Sequence, residues 1–150
     1  MRVLIDGDAF PDIEEIINVC KKYLKRVIIY TDTSHVIESD YATIVVVNKG
    51  SNAVDLVIEN EVKAKDLVLT HDYGVAMIAI YKEAYVLNPY GKFYNYNNIN
   101  YLMEFKNINR KLRKHTNVKG VKKRSDKDRK RLINSIIDLF GSEDFEKEKF

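Results

Sequence analysis

The chain has 150 residues, 45% hydrophobic and 31% charged, with a formal net charge of +3. That length and balance suit one globular domain with a real core and exclude a disordered or fibrous chain. A single cysteine excludes an internal disulfide framework and fits a reducing compartment; no secretory signal pattern or membrane-length apolar run is present, so a cytoplasmic protein without a membrane partner is expected.

The net charge hides an asymmetry. Residues 106–131 hold 13 Lys/Arg against Asp126 and Asp128, a surplus of +11, while the rest of the chain stands at −8. An acidic body with a basic carboxyl-terminal segment predicts a polyanionic partner. The plainer alternative is a solvated helical surface.

In chain order, Val3-Leu4-Ile5 reads as a buried strand that ends on Asp6-Gly7-Asp8, with Pro11 placed to open a helix. Ile13, Ile16, Ile17, Cys20 and Leu24 recur at helical spacing, with Glu14, Glu15, Lys21 and Lys22 on the other face. Cys20 therefore belongs to packing rather than chemistry. Val27–Tyr30 is a second strand, closed by Thr31-Asp32-Thr33-Ser34. Ile44–Val47 is a third, with the continuous apolar run of a strand covered on both faces.

The turn-rich stretch 48–52 leads into a helix carrying Val54, Val57, Ile58 and Val62. Asp55, in its first turn, reads plainly as a capping-box acid paired with Asn52. Leu67–Leu69 is a fourth strand running into Thr70-His71-Asp72, where Asp72 has the place of a helix cap. His71 stands between strand and helix, where a metal ligand or a base would fit, although a lone loop histidine is usually neither. Tyr85–Leu87 is a fifth strand, Asn88–Gly91 a turn, and Lys92–Tyr96 a short edge strand. Six of the ten tyrosines fall in 81–101, placed to cover a sheet edge or to stack on bases.

A helix is predicted from Asn98 to about Lys114, then a mobile basic connection over His115–Arg124. Ser125-Asp126-Lys127-Asp128 has capping-box spacing before a last helix with Leu132, Ile133, Ile136, Ile137 and Phe140 on one face. The expected fold is α/β and three-layered, with a mainly parallel central sheet and the carboxyl-terminal helices packed on the body. The expected domain is 1–140, with 106–131 its basic helical segment and 141–150 a charged, flexible tail.

Asp6, Asp8, Asp55 and Asp72 follow strands or open helices on what should be one sheet edge, with Asp32 a fifth candidate. Carboxylates converging there would repel one another unless a cation lay between them, and hard divalent cations take such oxygen ligands. Mg²⁺ or Mn²⁺ is the expected cofactor, which would activate water and stabilise charge at a phosphoryl group.

The chain resembles the YaiI/YqxD family of small bacterial proteins, whose fold is PIN-like. The matching stretches are Ile5–Pro11, Asn52-Ala53-Val54-Asp55, Lys65–Asp72, Leu87–Gly91 and Ser125–Arg129, in order along nearly the whole chain. Where the family commonly has D-A-D-A-C-P or D-A-D-G-C-P, this chain has Gly7 at the first alanine and Phe10 at the cysteine. The resemblance implies that a cysteine there is not needed for chemistry in this member. It also suggests, by analogy with PIN-like domains, a metal-dependent ribonuclease whose acids map onto Asp6, Asp55 and Asp72, with Asp8 added.

In that reading the four aspartates are both catalytic and metal-binding. Arg110, Lys111, Arg113, Lys114, Lys122, Lys123 and Arg124 would grip an RNA backbone. Two alternatives stand beside it. One is a non-catalytic RNA-binding protein in which the acids cap helices. The other is a haloacid-dehalogenase-type phosphatase, which Asp6-Gly7-Asp8 resembles but whose usual Thr or Val is Phe10 here. Oligomeric state, a homodimer included, is not legible.

Overall fold

The computed structural model describes residues 1–116 and 123–142; the side chains at 105, 106, 109 and 112–116 lie outside that description. Most of the connection expected over His115–Arg124 and of the tail over 141–150 therefore falls outside the described residues.

Six strands form one sheet in the order β3-β2-β1-β4-β5-β6. They are β1 (Arg2–Asp6), β2 (Arg26–Asp32), β3 (Thr43–Val47), β4 (Leu67–Leu69), β5 (Tyr85–Leu87) and β6 (Phe93–Tyr94). The first five run parallel, and β6 adds to β5 antiparallel. The helices are α1 (Ile13–Lys22), α2 (Ala53–Glu61), α3 (Tyr73–Tyr81), α4 (Ile99–Thr116) and α5 (Asp126–Gly141). The expected α/β architecture with a mainly parallel sheet is the one found.

Strand residues alternate between two cores, as the two-residue period of a strand requires. Val3, Ile5, Val27, Ile29, Leu67 and Leu69 face Ile16 and Cys20 of α1 and Leu132, Ile136 and Leu139 of α5. Leu4, Ile28, Tyr30, Val68 and Val86 face Val54 and Ile58 of α2, the small face of α3, and Ile99 of α4. Cys20 is fully buried, and burial pushes its thiol up to about 12, which suits an inert packing residue. Phe10, at the place of the family's cysteine, fills the α1/α5 core at 5% exposure.

Two expectations shift. The third strand is the sheet edge, so Thr43 and Val46 are exposed although the run is wholly apolar after Thr43. The first helix starts at Ile13 and not at Pro11, because Asp12 takes a left-handed conformation (φ 57°) at its start.

Helix α5 is fastened to the carboxyl end of the sheet. Ser125 and Asp128 form the expected capping box. Arg124 donates to Asp12 and, at 2.8 Å, to the Pro89 carbonyl. Gly91 (φ 78°) lies so close to α5 that a Cβ would sit 2.5 Å from the Arg131 carbonyl carbon, and Ser135 Oγ donates to the Gly91 carbonyl at 2.7 Å. Tyr85 and Tyr94 are buried, while Tyr81 and Tyr96 are exposed with their rings edge-on at 5.9 Å.

Candidate metal centre

The strand order changes direction at β1, which pairs with β2 on one side and β4 on the other. In open parallel sheets, ligands bind outside the carboxyl ends of the strands at such a switch point. Asp6 ends β1, Asp32 ends β2, and Asp72 follows β4 by three residues. The chain thus delivers acids to the place where this architecture puts ligands.

Asp6, Asp8, Asp32 and Asp55 line one cleft of about 170 Å³ with Ala9, Gly50, Asn52, Ala53 and Val54. Asp6 is 7% exposed, and its Oδ1 accepts the Asp8 amide at 3.2 Å. Burial first, and then the charges of Asp8 and Asp72, hold its carboxyl above the usual range. Asp55 is half-buried at the start of α2; burial, then Asp72, Asp6 and Glu59, push it up to about 6. The capping box expected for Asp55 does not form: Asn52 is left-handed (φ 61°) and its side chain caps nothing. That conformation removes the plain explanation for Asp55 and leaves it facing the other acids.

Asp8 is held differently. Its Oδ1 accepts the buried Thr31 hydroxyl at 2.6 Å, and its Oδ2 accepts the Asp32 amide at 3.2 Å. Gly7 between the two acids donates its amide to the Tyr30 carbonyl at 2.8 Å, and a Cβ there would stand 2.6 Å from Ile29 Cγ2. Glycine permits that close approach of β1 to β2; with a Cβ here the Ile29 and Ile37 side chains would have to give way. Asp72 does cap α3, accepting the Val75 amide at 2.9 Å, and its charge also reaches Asp6 and Asp55. Asp72 is a helix cap, and it is not among the residues that line the cleft of the other acids.

His35 is the residue that sequence reasoning missed. Its Nδ1 lies 3.2 Å from Asp8 Oδ1 and 3.1 Å from Asp32 Oδ1. The signal was an acid and a histidine three residues apart just past a strand end. His71, the histidine singled out instead, is exposed and joins no such group among the described residues.

Of the basic residues expected to hold nucleic acid, Arg110, Lys111 and Lys123 are exposed. Arg124 is committed to Asp12 and Pro89, a structural engagement at the same carboxyl edge. The side chains of Arg113 and Lys114, and all of Lys122, lie outside the described residues.

The donor set fits a hard divalent cation. Carboxylates that raise one another in a cleft are relieved by bound positive charge, and oxygen ligands are what Mg²⁺ and Mn²⁺ take. Among the described residues no helix is long and apolar enough to cross a membrane.

The family model described as "Uncharacterized BCR, YaiI/YqxD family" matches residues 4–142. A UPF0178 protein of Clostridium kluyveri is 41% identical over 140 residues, covering 93% of this chain and 92% of that one. UPF0178 proteins of Clostridium tetani (38% identical; 94% and 97% covered) and Natranaerobius thermophilus (35%; 91% and 96%) are similar along the same length. No solved structure matches the chain.

Proposed function

The chain belongs to the YaiI/YqxD family, and from the acids gathered at its switch point we propose that it is a Mg²⁺- or Mn²⁺-dependent ribonuclease. The observation that carries this reading is the pair Asp6 and Asp55. Two carboxylates from different segments are desolvated in one cleft, each held above its ordinary range, with no basic side chain among the causes of either shift.

Asp6 and Asp55 would hold the ion, with Asp8 and Asp72 completing the set. The ion would supply Lewis acidity toward a phosphodiester and activate water for its hydrolysis. The protein's own part is placement. Thr31 and the Asp32 amide fix the Asp8 carboxylate, and the Val75 amide fixes Asp72, so two of the four acids are held in place before a cation arrives. Arg110, Lys111 and Lys123 offer exposed positive charge to the RNA backbone.

The test is cleavage of labelled RNA by purified protein with Mn²⁺, with chelator, and with Asp6→Asn. Cleavage that disappears in the last two supports the proposal. RNA binding that survives chelation with no cleavage identifies a non-catalytic RNA-binding protein. Phosphate release from small phosphomonoesters identifies a haloacid-dehalogenase-type phosphatase.

A further inference from the structure

We infer that the groove between α1 and the loop after β2 binds one nucleobase of the RNA substrate, guanine best, beside the phosphodiester held at the acids. The inference rests on the ribonuclease reading and names the part of the substrate that lies next to the reacting group.

The groove follows from the topology. β2 and β3 run parallel, yet residues 33–42 join them without a helix. A parallel crossover usually carries one, packed on the face of the sheet. α1 packs on β2 and against α5, and its other flank faces the helix-free loop. The result is a cavity of about 920 Å³ between that flank and residues 36–40, roomy enough for a nucleoside.

The cavity adjoins the acids. Gly7, which separates Asp6 from Asp8 in the chain, lines it. Ile37 lies over Gly7, its Cδ1 2.9 Å from where a Cβ would stand. A substrate whose phosphodiester sits at Asp6 and Asp8 therefore has a neighbouring base beside the groove.

The lining selects a base over a phosphate. Ile13, Ile17 and Ile37 are half-buried and give aliphatic walls that suit the faces of a planar ring. Glu14, Glu38 and Asp40 are exposed on the same lining, and their carboxylates have no hydrogen bond or ion pair among the described residues. No Lys, Arg or His lines the groove. Phosphate is repelled there, whereas a neutral ring edge rich in N–H groups is attracted. Guanine carries adjacent N1–H and N2–H donors on its Watson–Crick edge, a pair that one carboxylate accepts together. Adenine and cytosine set an amine beside a ring acceptor, and uracil sets one N–H between two carbonyls, so each brings an acceptor against the carboxylate. A basic, apolar peptide is the competing occupant; continuity with the acids favours the substrate.

The experiment has two arms on the full chain. In the first, guanosine, adenosine, cytidine, uridine and a Leu-Lys peptide are each titrated with chelator present and followed by amide NMR shifts. Guanosine should shift residues 13–18 and 36–40 and bind about tenfold or more tighter than the other nucleosides. The variant Glu14→Gln/Glu38→Gln/Asp40→Asn replaces only exposed side chains and keeps their size. It should lose that preference, with circular dichroism checking its fold. In the second arm, RNAs of equal length with one guanine or none are cleaved with Mn²⁺. Cleavage beside guanine should exceed cleavage elsewhere by about tenfold or more in wild type and level out in the variant. Guanosine shifts in the groove without RNA cleavage uphold the base site and end the ribonuclease reading. RNA cleavage with no nucleoside shift in the groove and no base preference overturns the inference while that reading stands. Shifts with the peptide alone assign the groove to a protein partner and overturn the inference.

Discussion

At the amino-terminal end of the strands, Asp66 is 4% exposed and matched on every side. Arg2 donates to both of its oxygens, at 2.6 and 3.1 Å, and the Lys63 amide adds a third bond at 2.8 Å. Nearby, the Tyr30 hydroxyl donates to Glu61 at 2.5 Å. At the carboxyl end of the same strands, Asp6 is nearly as buried, but its charged neighbours are Asp8 and Asp72. Asp55 adds a fourth like charge. Buried charges are costly unless paired, and the first end obeys that rule. The second end departs from it, and such departures concentrate at functional sites. The difference teaches that the fold can satisfy a buried aspartate when only stability is at stake.

Breaking each end should give opposite results. The largest effect is expected from Asp6→Asn, which should lower RNA cleavage by about 10²–10³-fold without lowering stability, read by initial rates and urea unfolding. Loss of stability with unchanged cleavage would reverse the assignment of the two ends. Arg2→Ala should do the converse. It strands Asp66 without its cation and should cost about 3 kcal/mol in urea unfolding, while metal binding at the other end persists.

Asp55→Asn sharpens the contrast, because it should stabilise. Its carboxyl ionises at about 6 in the fold against an ordinary 3.8, so the ionised form is disfavoured by folding. The penalty is full above about pH 6, shrinks as pH falls toward 3.8, and vanishes below it. Above pH 6 the variant should gain about 1 kcal/mol, less than the full shift implies because the group is partly solvated. Thermal unfolding across that range reads the gain. The smallest effect is expected from replacing Arg110 and Lys111 with alanine. RNA affinity should fall a few-fold, and the slope of log affinity against log salt should flatten by about 1–2.

Much of the fold was legible because buried parallel strands read as short apolar runs: Leu67–Leu69 and Tyr85–Leu87 are strands over those same residues. Thr43–Val47 shows the limit, since an apolar run does not say whether a neighbouring strand lies on both sides. In the site, Asp6 and Asp8 were legible from strand-end position. Asp55 was ambiguous, because a capping box and a ligand share the same spacing, and the left-handed Asn52 removes the capping box. His35 was not found, because its meaning depends on β2 reaching Asp32 and bringing the following loop back over Asp8. The Asp32–His35 spacing is the one local hint, and it does not encode that return.

The central claim is that the unmatched acids at the carboxyl end form a cation centre, and calorimetric titration of Mn²⁺ into wild type and Asp6→Asn tests it most directly. The account predicts saturable binding to wild type that is lost or greatly weakened in the variant, with both proteins folded. Equal binding by the two, or no binding to wild type, would contradict it.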